Sequence, residues 1–474
     1  MTRTPGPLAA FGILALIAAS AIAAAQTPEE YQKRREAVRA KMEAGSVLIL
    51  RSPAPAGERF RQDDALYYLT GIEEPNTALV LRGPQAPLLL NGVAIPGPPP
   101  ETLFVMPPGV PRTAAGAPPA PVPPFERRGF ELVRSSQELQ AVLDDILMGG
   151  GMRMMPGGAT GRGGAAGAPG GGPLVYLDYQ RSRRLSDPLT TDEQWLKNAR
   201  DRGLSFTIRP AAALVSELRR VKSPSEIENV RMAMAITSAA QREAIRAATP
   251  GMYEYQLQSI IEHVFSMNGA KRLAFPTIVG SGPNGIILHW SENSRQTRPG
   301  DIVVMDIGAE YNRYAADITR TIPISGTFTP RQKAIYETVL RANEAAIAMI
   351  APGVTVRDIN AKVNEILGQG LIALGLITDV KDLRKYYTHG LSHGVGLAVH
   401  DVNSAVLEPG VILTIEPGLY VPEENTGVRI EDTVLVTTTG HEVLSASVPK
   451  KVAEVEALMR EGGIDYARYL VIKK

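Results

Sequence analysis

Apolar and polar positions change rhythm along this chain, and the changes predict most of its elements. A basic helical pattern over residues 31–42 leads into an unbroken apolar run, 46–50, that reads as a buried strand. Strand patterns recur at 77–81, after a turn at Gly71, and at 102–106 and 174–177, with a helical pattern over 136–147. Residues 84–124 are rich in proline, and 149–172 are almost wholly Gly, Ala, Met, Arg and Pro. A segment so poor in large side chains cannot offset its ordering entropy by burial, so 149–172 is expected to be a flexible surface insertion.

Beyond Arg219 the elements lengthen. Ser223-Pro224-Ser225-Glu226 combines a capping serine, a first-turn proline and an early acid, and opens an amphipathic helix to about residue 248. Helices are predicted at 253–267, 330–350 and 355–374, and strands at 302–307, 316–324, 411–415 and 428–436. This region also carries an internal repeat. Thr277, Ser281, Gly285 and His289 return 111 residues later as Thr388, Ser392, Gly396 and His400. Pro299, Gly300, Ile302, Asp306 and Gly308 return 110 residues later as Pro409, Gly410, Ile412, Glu416 and Gly418, and Pro250-Gly251 is echoed by Pro352-Gly353. Each half therefore presents a histidine, then an acid at the end of a strand.

Length and composition narrow the class. With 474 residues the chain calls for at least two domains, and its 44% hydrophobic and 21% charged residues are those of a globular protein. A net charge of +1 offers no electrostatic reason for a nucleic-acid partner. The absence of cysteine excludes disulfides, thiolate metal sites, a cysteine nucleophile and a lipidated N-terminal cysteine. Arg3, the apolar run from Leu8 to Ala25 and its small-residue exit before Gln26 read as a secretory signal, so the mature chain is expected to be exported, periplasmic or secreted, with no membrane span. The expected plan is a signal at 1–25, an N-terminal domain at 26–205 and a second domain at 206–474.

The strand-end acids carry the chemistry. Asp306 ends the apolar run Ile302-Val303-Val304-Met305, and Asp317 opens the returning strand of the same hairpin. Glu416 ends 411–415, and Glu431 follows Val428-Arg429-Ile430. The repeat brings the hairpins together, and four carboxylates in an apolar setting resist ionising unless cations neutralise them. Two divalent ions supply that charge. His393, in a glycine-rich stretch, adds a nitrogen donor. A mostly oxygen set with one imidazole suits Mn²⁺ first and accepts Co²⁺, Zn²⁺ or Fe²⁺. Two metals sharing carboxylates activate water and polarise a carbonyl, which is hydrolase chemistry. His263 and His441 fall outside the pattern and read as ordinary structural histidines.

Several blocks resemble the signatures of the pita-bread metallopeptidases, and within them the aminopeptidase P (Xaa-Pro aminopeptidase) branch. They are Asp306-Ile307-Gly308, Tyr314 through Thr321, His389-Gly390-Leu391-Ser392-His393-Gly394, Thr414-Ile415-Glu416-Pro417-Gly418 and Glu431-Asp432, with Tyr67-Tyr68-Leu69-Thr70-Gly71 in the N-terminal part. The resemblance implies an α/β (α+β) chain with a creatinase/prolidase-like N-terminal domain and a C-terminal pita-bread domain of pseudo-twofold construction. It implies Asp306, Asp317, His393, Glu416 and Glu431 as ligands of two metals, Asp317 and Glu431 bridging. Glu416 would manage the proton of a metal-bound hydroxide that attacks an N-terminal Xaa-Pro bond. His289 and His400 would act in catalysis, and with His389 and Arg429 would line the substrate site. A homodimer or homotetramer is expected. The chain departs from the family in a short 417–430 connection, in Gly394 where a bulky residue is common, so that a wider pocket is expected, and in the 149–172 insertion. The competing readings are a prolidase restricted to Xaa-Pro dipeptides and, from another class, an inactive pita-bread module that binds proteins. A methionine aminopeptidase would lack the N-terminal domain, and a creatinase-like enzyme the metal ligands.

Overall fold

The structure is a computed structural model and describes residues 26–53, 60–85, 88–90, 93–95, 97–106, 129–130, 132–148, 172–177 and 190–463. The expected signal at 1–25 and nearly all of the expected insertion at 149–172 lie outside the described residues. The chain divides into two compact units, Gln26–Leu218 and a second beginning at Arg219. This boundary lies beyond the 205/206 junction expected from sequence. The strand Thr207–Pro210 pairs in parallel with Leu174–Leu177, so its backbone hydrogen bonds belong to the first unit.

The first unit is a six-stranded mixed sheet. Its strands are β1 (Val47–Arg51), β2 (Ala78–Arg82), β3 (Glu101–Val105), β4 (Val133–Ser135), β5 (Leu174–Leu177) and β6 (Thr207–Pro210), in the order β4-β3-β2-β1-β5-β6. Around it run α1 (Pro28–Lys41), α2 (Asp64–Thr70), α3 (Leu139–Leu147) and α4 (Thr191–Asp201). The near-continuous apolar text of β1 and β2 reflects burial: Val47, Ile49, Val80 and Phe104 pack with Leu143 and Trp195. The predicted Gly71 turn is the left-handed end of α2, at φ 63°. The short helices α2 and α4 escaped the sequence pattern, because two or three turns give little periodicity to read.

The second unit shows the repeat in space. Helices α5 (Pro224–Ala247) and α6 (Glu254–Met267) pair in one half, α7 (Pro330–Ala348) and α8 (Val356–Ala373) in the other. Both leading helices open with a reciprocal cap and a first-turn proline, Ser223 with Glu226 and Thr329 with Gln332. The first half supplies β7 (Ile278–Ser281), β8 (Ile302–Ile307) and β9 (Ile318–Pro323), antiparallel in that order, with Asp306 opposite Thr319 and Ile307 opposite Ile318. The second supplies β10 (Ile412–Ile415), β11 (Gly418–Val421), β12 (Thr426–Arg429), β13 (Asp432–Val436) and β14 (His441–Val443). β10 pairs with β13, and β11 with β12. A final helix, α9 (Val452–Glu461), follows.

The run 428–436, expected to be one strand, is interrupted. β12 serves one hairpin and β13 another, and Ile430-Glu431 make the crossing, with the Glu431 N–H donating to Thr319 O at 3.1 Å. That crossing joins the halves: the Arg429 N–H donates to Thr321 Oγ1, and this hydroxyl donates back to Arg429 O. Gly308 lets the hairpin close, since a Cβ there would lie 2.0 Å from Ala316 O. Among the described residues no helix is long and apolar enough to cross a membrane.

Candidate metal and substrate site

Asp306 is the penultimate residue of β8, the residue before β9 is Asp317, β10 is followed by Glu416, and the β12–β13 crossing holds Glu431. Asp306 lies within the ladder, opposite Ile278 and Thr319, the other three acids sit just outside a strand, and all four line a shared pocket of about 530 Å³. Asp306, Asp317 and Glu431 are buried, at 8%, 4% and 1% exposure, too dry for charged carboxylates without counter-charge. Asp317, His393 and Glu431 offer donor atoms that all lie within 4.8 Å of one another. His393 Nε2 lies 3.5 Å from Asp317 Oδ2 and 3.6 Å from Glu416 Oε1.

The tautomer of His393 follows from its other nitrogen. Nδ1 is 3.1 Å from Gly394 O, which only accepts, so Nδ1 carries the proton and Nε2 presents a lone pair to the carboxylates. Lone pairs that face each other need a cation between them. Asp306 Oδ1 and Asp317 Oδ1 are likewise buried without a hydrogen-bond partner. Oxygen-rich, anionic, dry and short of donors, the cluster fits divalent metal.

Without metal the electrostatics run as burial dictates. Burial, then Glu431, Asp306 and Glu416, push the Asp317 carboxyl well above its ordinary range. Burial, then Glu416 and Asp306, do the same to Glu431. Burial raises Glu416 to about 8 although Arg429 opposes it. Burial also lowers His389 and His393 to about 4, which keeps both rings neutral.

Arg429 is a scaffold of the site. Its NH2 donates to Asp306 Oδ2 at 2.7 Å, Nε to Thr319 Oγ1 at 3.0 Å and NH1 to the Tyr420 hydroxyl at 2.9 Å. Thr319 in turn donates to Glu431 Oε2 at 2.6 Å, so one guanidinium orients two of the acids. Arg429 lines the pocket as expected, but these bonds occupy its nitrogens and turn it toward the carboxylates rather than a substrate. His389 Nε2 lies 2.9 Å from the Tyr420 hydroxyl, and Nδ1 is 2.7 Å from Gly390 O. His289 and His400 are exposed at the pocket's mouth, the His400 ring 4.2 Å from that of His393.

The structure thus brings together all five ligand candidates with His289, His389, His400 and Arg429. His441 lies apart, its Nδ1 2.9 Å from Ile350 O, and His263 lies within α6; neither lines the pocket. Gly394 is absent from the lining: a Cβ there would meet Val402 O at 2.3 Å, so glycine serves a close backbone approach and does not widen the pocket. Sequence reasoning missed Thr319 and Tyr420, and it left the apolar wall unlocated. Phe275, Pro276, Ile278, Leu288 and Val399 form that wall. Thr319 had a signal, a hydroxyl two residues after the candidate ligand Asp317; Tyr420 had none.

Residues 228–438 match the model of metallopeptidase family M24, and 31–107 that of the aminopeptidase P N-terminal domain. The chain is 36% identical over 462 residues to the Xaa-Pro aminopeptidase of Escherichia coli K12, covering 91% of this chain and 97% of that protein. It is similar to the solved E. coli aminopeptidase P with the inhibitor Pro-Leu, with a TM-score of 0.73, 33% identity and coverage of 94% of this chain and 100% of that one. The zinc-substituted E. coli aminopeptidase P in complex with product gives a TM-score of 0.74, 33% identity and coverage of 92% and 99%.

Proposed function

Because the chain belongs to the aminopeptidase P branch of metallopeptidase family M24, we propose that it removes the N-terminal residue from peptides with proline in second place. The carrying observation is the convergence, beside an apolar wall, of five ligand-type side chains with unpartnered oxygens. Asp306, Asp317, His393, Glu416 and Glu431 would hold two divalent ions, Mn²⁺ being the first choice for so oxygen-rich a set and Co²⁺, Zn²⁺ or Fe²⁺ acceptable. The ions supply Lewis acidity and the charge that keeps the acids ionised.

The chain's own residues do the rest. Glu416, on the edge of the pocket, takes a proton from the attacking water and returns it to the departing proline nitrogen. His289 and His400, at the mouth, donate to the carbonyl oxygen as negative charge develops there. His389, tied to Tyr420, keeps the neighbouring wall in place. Proline nitrogen has no N–H, so a site for this bond relies on shape where others use a backbone hydrogen bond. Phe275, Ile278, Leu288 and Val399 offer apolar surface for the ring.

A peptide panel on Mn²⁺-loaded protein tests this reading. An Ala-Pro-Pro tripeptide should lose its first residue and an Ala-Ala-Pro control should not; cleavage of Gly-Pro alone would make the protein a dipeptidase. The reading extends to an exported mature protein, from the 1–25 signal, and to a homodimer or homotetramer.

A further inference from the structure

The repeat continues into the helices packed beneath the site. Gln241 of α5 and Asn343 of α7 stand 102 residues apart, the spacing that also separates Pro250-Gly251 from Pro352-Gly353. Their surroundings correspond. Ala240, Gln241, Ala244 and Ile245 are buried on one helix, and Ala342, Asn343, Ala346 and Ile347 on the other. A primary amide on so apolar a face is costly unless its hydrogen bonds are made.

Both amides donate to corresponding targets. Gln241 Nε2 donates to Met305 O at 3.2 Å, in the peptide unit that leads into Asp306. Asn343 Nδ2 donates to Ile415 O at 3.1 Å and to Ile430 O at 3.3 Å, in the peptide units that lead into Glu416 and Glu431. Asp306 and Glu416 are themselves repeat partners. Asn343 is oriented from its other side, where Lys450 Nζ donates to its Oδ1 at 2.7 Å and to Asp432 Oδ2 at 2.6 Å. Gln241 Oε1, by contrast, is buried without a partner. An apolar side chain would fill that place without an unpaired atom, so the retained amide points to its bond with Met305 O. Ile430 lies in the crossing between β12 and β13, where the regular ladder lapses and its carbonyl goes to Asn343.

We propose that Gln241 and Asn343 are a symmetry-related pair of positioning residues. They pin the peptide units before Asp306, Glu416 and Glu431 to the helices and so set the separation of these carboxylates for metal binding. A pinned carbonyl limits rotation of the peptide plane, and with it the direction in which the next side chain leaves the backbone. The inference rests on the two-ion reading above.

The test uses full-length protein freed of metal by chelation and titrated calorimetrically with Mn²⁺ and, in parallel, Zn²⁺. Gln241→Met and Asn343→Leu are compared with Val363→Ala, a core change in α8 at a side chain that has no hydrogen bond to give to any of the three carbonyls. Loss of outer-shell partners typically weakens metal affinity by about 10- to 100-fold, and both amide variants should fall in that range, Asn343→Leu the further. Excess metal should restore kcat, with KM for the peptide unchanged. Val363→Ala should lower the unfolding temperature and leave affinity intact. Should Asn343→Leu fail to fold, Gln241→Met decides alone, since it removes an oxygen that had no partner. Wild-type affinity in the amide variants, or equal weakening in Val363→Ala, overturns the positioning role by itself. A wild-type chain that binds neither ion overturns the two-ion reading and this inference with it.

Discussion

Asp317 shows at the scale of one residue why this cluster asks for metal: it is buried, one oxygen lacks a partner, and three acids surround it. Asp317→Asn removes a charged donor shared by the candidate set, and bound metal measured on the purified variant should fall below the wild-type content. His400→Ala and His289→Ala should behave differently. Losing one donor to a developing oxyanion costs about 10²–10³-fold, so kcat should drop on that order while metal content stays at the wild-type level. A histidine variant that lost its metal would contradict this division of roles. The titrations of the metal-free chain also have a sign. A carboxyl raised on folding stabilises below its unfolded pKa, and that stability drains away as pH climbs to the folded value. Glu416, moved from 4.5 to about 8, drains across that window, and Asp317 and Glu431 shift the same way. His389 and His393, lowered from 6.5 to about 4, cost stability only below 6.5. Between pH 6.5 and 8 the acids alone are left to act, so the chelated protein should melt at lower temperature as pH rises, and saturating Mn²⁺ should remove the trend. A flat melting profile in chelator would count against it.

Among the elements, α6 governs the loop that carries His289. Glu254, fully buried in its first turn, accepts from Ser281 N and Oγ at 2.7 Å and Asn284 Nδ2 at 3.1 Å through one oxygen. Through the other it accepts from Trp290 Nε1 at 2.9 Å and Arg295 N at 3.0 Å. One carboxylate thus anchors the loop before and after His289. Glu254→Ala strands these donors at about 1–3 kcal/mol for each that stays buried and unpaired. Thermal unfolding should register that loss, and kcat should fall with metal content unchanged, because no candidate ligand lies on the loop. Loss of metal in step with activity would refute the assignment. The helices at 224–247 and 330–348 were legible from their caps and first-turn prolines, which are local signals. The break between β12 and β13 was not, since apart from Asp432 the run Val428 to Val436 keeps the alternation of a continuous strand. Only the need to serve two hairpins divides it.

Over the whole molecule, two units of different construction share one chain, and an export signal is expected ahead of both. N-terminal sequencing of protein recovered from the periplasm or medium should begin near Gln26, whereas a chain retaining residues 1–25 would defeat the export reading. The division into units shows in the sequence as a change of texture near Arg219, but the boundary itself lies later than the expected 205/206 junction because pairing of β6 with β5 joins residues distant in sequence. Much of the site was written in the chain itself. Asp306, Asp317, Glu416 and Glu431 stand out because charge at the end of an apolar strand is costly, and a repeat makes the coincidence hard to dismiss. Local order and repetition are properties a linear text can hold. What the tertiary structure alone decided is who meets whom. It set Arg429 across from Asp306, placed Thr319 between Arg429 and Glu431, raised an apolar wall from Phe275, Leu288 and Val399, and put one amide from each half under the carboxylates. Those partners come from segments far apart along the chain, and only the closing of one half against the other brings them within bonding distance.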